Sequence, residues 1–116
     1  MITYQNYQWI IIEEDIATIG LNEEALDELG YVNEVALPDV GDDVLVDHPI
    51  AEVLSEEHTI SLYCPFEGEV LEVNESLLEE PELVHQDCYD DGWIFKVQLP
   101  EPISEEDLRH QIEENA

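Results

Sequence analysis

Residues 59–74 decide the fold: Thr59-Ile60-Ser61-Leu62-Tyr63-Cys64-Pro65-Phe66-Glu67-Gly68-Glu69-Val70-Leu71-Glu72-Val73-Asn74. Ile60 and Leu62 alternate with polar neighbours, the period-two pattern of a strand with one face on a core. Pro65 and Gly68 break that run as a turn, and a second short run follows through Val70 and Val73. The chain has a similar passage earlier. Pro38-Asp39-Val40-Gly41 leads to Val44, Val46 and Asp47, and both its Pro and its Gly recur 27 positions on, at Pro65 and Gly68. Two strand-turn-strand units related in this way suggest two similar halves of a sandwich burying their apolar faces together.

The same punctuation extends outward. Gly20, Gly30, Pro49, Pro81, Gly92 and Pro100 cut the rest of the chain into pieces of strand length. In Trp93-Ile94-Phe95-Lys96-Val97-Gln98-Leu99 the odd positions form an apolar face, opposed by Ile94, Lys96 and Gln98. Short strands at this spacing predict a mainly β sandwich or barrel. Helical signals are local. Asn22 is placed to cap a helix over 23–29, with Gly30 where a positive φ is needed. Asn74 is read as capping a turn through Leu77 and Leu78, ended by Pro81. Ser104, with Asp107 three residues on, opens a polar C-terminal helix toward Asn115 whose apolar stripe is only Leu108 and Ile112. The expected core includes Trp9, Leu37, Val44, Leu62, Val70, Val73, Trp93 and Phe95.

With 116 residues and 13.3 kDa the chain has room for one domain. We divide it as a domain over 1–100 and an acidic helical tail over 101–116. Its hydrophobic fraction of 44% can build a core, but 31 acids stand against one lysine and one arginine, for a formal charge of −29. Nucleic acid and anionic membrane surfaces are excluded as partners, because both are bound through Lys and Arg. Repulsion among the carboxylates predicts that melting temperature rises with salt toward ~1 M, where the screening length falls to about 3 Å. A Tm series in salt checks this. The acidity itself fits either adaptation to concentrated salt or a basic partner surface.

The segment from Met1 to Gln8 is polar and lacks a basic residue, and Ile10-Ile11-Ile12 is far too short to span a bilayer. With Cys64 and Cys88 read as free thiols, the expected compartment is the cytoplasm. His48, His58, His85 and His110 with the two cysteines match no zinc spacing, so no metal is expected. Ser55 and Ser104 lack a nucleophile-elbow context, and the pairs Glu56-Glu57, Glu79-Glu80 and Asp90-Asp91 read as solvated turns. No catalytic residue is expected, and the chain is not read as an enzyme.

The turns and strands taken in order resemble the H proteins of the glycine cleavage system. The residues that carry the resemblance are Trp9, Ala17-Thr18-Ile19-Gly20-Leu21, Leu29-Gly30, Val35-Ala36-Leu37-Pro38-Asp39-Val40-Gly41, Leu62-Tyr63-Cys64-Pro65, Gly68-Glu69-Val70, Val73-Asn74, Pro81-Glu82-Leu83-Val84, Asp87-Cys88-Tyr89 and Gly92-Trp93-Ile94. The resemblance implies a barrel-sandwich hybrid of the lipoyl and biotinyl type, with one short helix after the first strands. It also implies a lipoyl arm held on a lysine at a hairpin tip, carrying an aminomethyl group between partner enzymes.

At that tip the sequence departs from the family. The resemblance puts the lipoyl lysine at position 57 within Glu-Ser-Val-Lys-Ala, whereas the chain reads Leu54-Ser55-Glu56-Glu57-His58. A carboxylate cannot form the amide that joins lipoate to an amine, and Lys96 lies in the closing strand. The expectation is a domain without a cofactor, with Glu57 at the lipoyl position flanked by Ser55, Glu56 and His58. It would be a binding or regulatory relative of the carrier, docking onto glycine cleavage or lipoate-handling enzymes. The alternative is a structural or interaction protein that reuses the fold.

Overall fold

A computed structural model of the chain describes every residue except Met1, Asn6, Asp47, Glu57, Asn115 and Ala116. The chain opens with an antiparallel meander of β1 (Ile2–Tyr4), β2 (Gln8–Glu13) and β3 (Ile16–Leu21), in register at Ile2↔Ile10 and Ile10↔Ile19. Helix α1 (Glu23–Leu29) follows, then β4 (Val32–Ala36), β5 (Asp43–Val44), β6 (Ala51–Ser55), β7 (Thr59–Leu62) and β8 (Gly68–Val73). Two one-turn helices, α2 (Ser76–Glu79) and α3 (Leu83–Gln86), lead to β9 (Phe95–Gln98) and helix α4 (Glu105–Glu114). The strands form a six-stranded sheet in the order β1-β2-β3-β9-β8-β5 and a three-stranded sheet in the order β4-β6-β7. Ile10, Ile19, Val35, Val53, Leu62, Phe95 and Val97 lie fully buried in one shared core. The architecture is the mainly β barrel-sandwich expected from the alternation and the turns, with the short helix and the C-terminal helix in place.

The two echoed passages lie side by side. β5 pairs antiparallel with the start of β8, Asp43 opposite Glu69 and Val44 opposite Gly68. The Gly41 N–H donates to the Val70 carbonyl at 2.8 Å, and the Val70 N–H donates to the Asp42 carbonyl at 2.9 Å. Gly68 is required by β9 on the other side: a Cβ there would stand 2.6 Å from the Gln98 carbonyl oxygen and from a Val97 methyl.

α1 forms as its caps dictate. The Asn22 side-chain oxygen accepts from the Ala25 N–H at 3.0 Å, and Gly30 adopts φ 73°. α4 starts at Ser104, whose Oγ accepts from the Asp107 N–H at 3.1 Å, and its Leu108 is fully buried. Among the expected core residues Trp9, Val44, Leu62, Val70 and Phe95 are buried, while Leu37 and Val73 are half-buried against the core.

Three expectations are corrected. Asn74 does not cap a helix through its side chain. Its buried amide donates to the Asp91 and Trp93 carbonyls at 2.9 and 2.8 Å, tying the segment before α2 to the approach to β9. Trp93 precedes the closing strand and is only half-buried; Ile94 is the fully buried residue. The Trp93 ring carries the Lys96 ammonium, whose Nζ lies 5.1 Å from the ring centroid. Gly20 marks no turn but sits inside β3.

Beyond Leu62 the chain is closed by side chains rather than by another strand. The fully buried Gln8 accepts from the Tyr63 N–H at 2.9 Å and donates back to the Tyr63 carbonyl at 2.8 Å, a ladder rung built by an amide. The Tyr7 hydroxyl donates to the Ser61 carbonyl at 2.9 Å. Gln8→Leu removes both partners of Tyr63 and is expected to cost about 2–3 kcal/mol, since a desolvated donor and acceptor are left unmet. Chemical denaturation measures it; a loss below about 0.5 kcal/mol would show that water substitutes freely for the amide.

Candidate functional site: the hairpin tip

β6 and β7 are joined in a hairpin with register Ala51↔Leu62, Glu52↔Ser61, Val53↔Ile60 and Leu54↔Thr59. Ala51 and Val53 turn inward and are buried; Glu52 is exposed and Leu54 half-buried on the other face. The hairpin is therefore anchored by its inward residues while its end projects.

Ser55 closes that end. Its N–H donates to the His58 carbonyl at 2.8 Å, its Oγ donates to the same carbonyl at 3.2 Å, and the His58 N–H donates to Oγ at 3.1 Å. All three bonds use the backbone of His58, so the imidazole is not needed to shape the turn. Glu56, His58 and Thr59 are exposed. The structure thus brings Ser55, Glu56 and His58 together at the tip, while Glu57 lies outside the described residues. β4 runs alongside, with Val32 opposite Ser55 and a register shift between Val32 and Glu34. Tyr31, one residue before that pair, is 69% exposed. Behind it a ring nitrogen of His85 meets the Gly30 carbonyl at 2.6 Å.

An amine must come from elsewhere in the chain. Lys96 is the single lysine. It lies inside the six-stranded sheet, opposite Thr18 on β3 and Glu72 on β8. Its Nζ is 3.7 Å from the Glu72 carboxylate and faces the Trp93 ring. The chemistry of the tip is a carboxylate, an imidazole and hydroxyls; nothing among its described residues can be acylated to an amide.

The remaining candidates hold no built site. Asp87, Asp90 and Asp91 place carboxylate oxygens within 4.8 Å of one another, but all three are exposed and no histidine or cysteine among the described residues joins them. In the sequence only Asp90 and Asp91 are adjacent; Asp87 joins them through the fold of the 87–92 loop. Cys64 and Cys88 are buried free thiols. Burial pushes the Cys64 thiol well above the ordinary value. Burial, then the Glu23 charge, raises Cys88. Because the folded state keeps these protons while the unfolded chain releases them above pH about 9, stability is intact below that pH and declines as pH rises past it. Cys64, the strongly shifted thiol, carries most of the slope, which approaches about 1.4 kcal/mol per pH unit well above pH 9, and Cys88 adds in the same direction. Denaturation at pH 8 and 10 checks the slope, and replacing each cysteine with alanine or serine should flatten it.

No helix among the described residues is long and apolar enough to cross a membrane. The model of the glycine cleavage H-protein family matches residues 2–116. The glycine cleavage system H protein of Rubrobacter xylanophilus is 41% identical over 113 residues, covering 95% of this chain and 90% of that protein. That of Thermotoga maritima is 36% identical over 104 residues, covering 90% and 84%. Among solved structures, a glycine cleavage system H protein from Mycobacterium marinum superposes with a TM-score of 0.77 at 25% identity, covering 93% of this chain and 92% of that one.

Proposed function

Since this chain belongs to the glycine cleavage H-protein family, we propose that it is a member without the lipoyl group, acting as a binding or regulatory module rather than as a carrier. The observation that supports this most is the position of its amine. The single lysine lies in β9, paired with Glu72 and stacked on Trp93, while the hairpin presents Ser55, Glu56 and His58, with Glu57 next to them in sequence. Lipoate is attached as an amide to a lysine, so the residues present do not fit the group.

In this reading Glu57 stands where the family's lipoyl lysine would stand. The partners are the enzymes that handle H proteins: the glycine cleavage enzymes or those that attach and move lipoate. They are met through the shape of the tip rather than through a covalent arm. The charge of −29 favours a partner with a basic surface, because such a field speeds encounter with positive patches. The buried thiols are compatible with the cytoplasm as the compartment.

Two measurements test the proposal. Protein produced alongside a lipoate ligase should keep its unmodified intact mass; a gain of one lipoyl group would overturn the reading. Pull-down should retain the glycine decarboxylase or the aminomethyltransferase. Failure with both, and with lipoate ligase, would leave only the family fold and remove the partner assignment.

A further inference from the structure

The tip lies at one end of β7; beyond its other end the chain forms the wall of a second surface. There an open trough of ≈ 880 Å³ runs between α4 and the segment around Pro65 and Phe66. A smaller hollow of ≈ 390 Å³, sharing Glu67, Leu99 and Pro100 with it, continues the trough past Leu45. The floor is apolar: Val46, Phe66, Leu99, Pro100 and Ile103, with Leu45 in the continuation. Leu45 and Val46 are 46% and 42% exposed and adjacent in sequence, so they leave apolar surface open at the trough. Its charged lining is mostly acidic, with His110, Gln98 and Gln111 as the other polar members. Asp43, Glu67, Glu69, Glu101 and Asp107 supply the carboxylates, and neither Lys96 nor Arg109 takes part.

We propose that this trough is a docking site for a basic peptide segment of a partner protein, one that alternates Lys or Arg with large apolar side chains. Apolar side chains would cover Leu45, Val46 and Ile103, which are at least partly open, while the cations meet the carboxylates. Charge decides between occupants. A second copy of this chain would bring −29 against −29 with only one lysine and one arginine to offset it. Nucleic acid and anionic lipid would meet the same repulsion. The inference rests on the reading of the chain as a docking module and adds a contact surface separate from the tip. Its test uses neither glycine cleavage enzymes nor lipoate ligase, so the two can fail independently.

The test is titration of the full chain with a capped Lys-Phe-Lys-Leu-Lys peptide, followed by amide and methyl chemical shifts at low salt. Shifts should concentrate at Val46, Phe66, Leu99 and Ile103 and spare Ser55 and His58. A Lys-Ser-Lys-Ser-Lys peptide should bind about tenfold more weakly, the loss of an apolar anchor. Glu67→Lys with Glu101→Lys should weaken the first peptide about tenfold or more, whereas Glu24→Lys with Glu28→Lys on α1, the same change in net charge, should weaken it only about twofold. Val46→Ser, at an exposed position that the fold does not need, should weaken it without altering the melt. Equal losses from the two charge reversals, equal binding of the two peptides, shifts centred elsewhere, or no saturable binding would each overturn the proposal.

Discussion

Lipoylation is expected to return when Leu54→Glu, Glu56→Val, Glu57→Lys and His58→Ala are made together, and to stay about tenfold or more lower with Glu57→Lys alone, a difference equal to the loss of one or two recognition contacts. The geometry makes the rebuilding feasible. Ser55 is retained, and its three bonds to position 58 run to the backbone, so His58→Ala leaves the closure intact. Leu54 lies on the outward face between Glu34 and Thr59, so Leu54→Glu displaces no core residue. It does set a carboxylate opposite Glu34, a like-charge pair worth up to about 1 kcal/mol. Moderate salt offsets part of that cost. Glu57→Lys supplies the amine, but an attaching enzyme would still meet Glu56 where the family has Val and an imidazole where it has a methyl. Intact mass after incubation with lipoate, ATP and ligase reads the outcome. A rebuilt protein that melts like the parent yet gains no mass would show that position 57 is not the lipoyl position. Full modification of Glu57→Lys alone would show that the neighbours are not read.

The elements that were legible in the sequence are those whose signals are local. α1 follows from Asn22 and Gly30, α4 from Ser104, and the β6-β7 hairpin from alternation ending at Ser55 and resuming at Thr59. Asn74 was misread because an asparagine before a helix-like run has the same signature whether its side chain caps that run or bridges distant carbonyls. Only the arrival of Asp91 and Trp93 decides. The odd-numbered face of 93–99 failed at its first member for a related reason. Trp93 stands before β9, so strand parity does not govern it, and its ring carries a neighbouring cation. At the candidate site, the exposed hairpin end is readable because it depends on alternation broken at Ser55, and the absence of a lysine from 54–58 is plain in the sequence itself. The acidic trough is not: Val46, Phe66 and the 99–103 segment come from three separate stretches, and no local pattern announces their meeting.

Trp9→Ala is expected to cost about 3–5 kcal/mol, enough to leave a domain of this size marginal or unfolded at 25 °C. The reason differs from the one that strand parity suggests. Ile10 faces the shared core, and Trp9, the adjacent residue, points to the opposite face of the six-stranded sheet, where side chains usually meet water. It is nevertheless only 1% exposed, because the 87–89 segment roofs it. The indole Nε1 donates to the Cys88 carbonyl at 2.8 Å, and the Tyr89 ring stands 6.2 Å away at 43°. Beneath it lies Gly20, its direct partner across β2 and β3, where a Cβ would come within 2.5 Å of indole carbons. Glycine at 20 is thus the flat seat of the tryptophan, not a break in the chain. Gly20→Ala should cost about 2 kcal/mol in the parent, by forcing the indole off its acceptor, and close to nothing once Trp9→Ala has emptied the space. Trp9→Phe should fall between, losing about 1–2 kcal/mol with the donor while keeping most of the ring's packing. A double-mutant cycle by chemical denaturation, run at high salt so that the marginal variants remain folded, reads the coupling directly. Additive costs for Trp9→Ala and Gly20→Ala would mean that the two residues do not form one packing unit and that the glycine serves β3 for another reason.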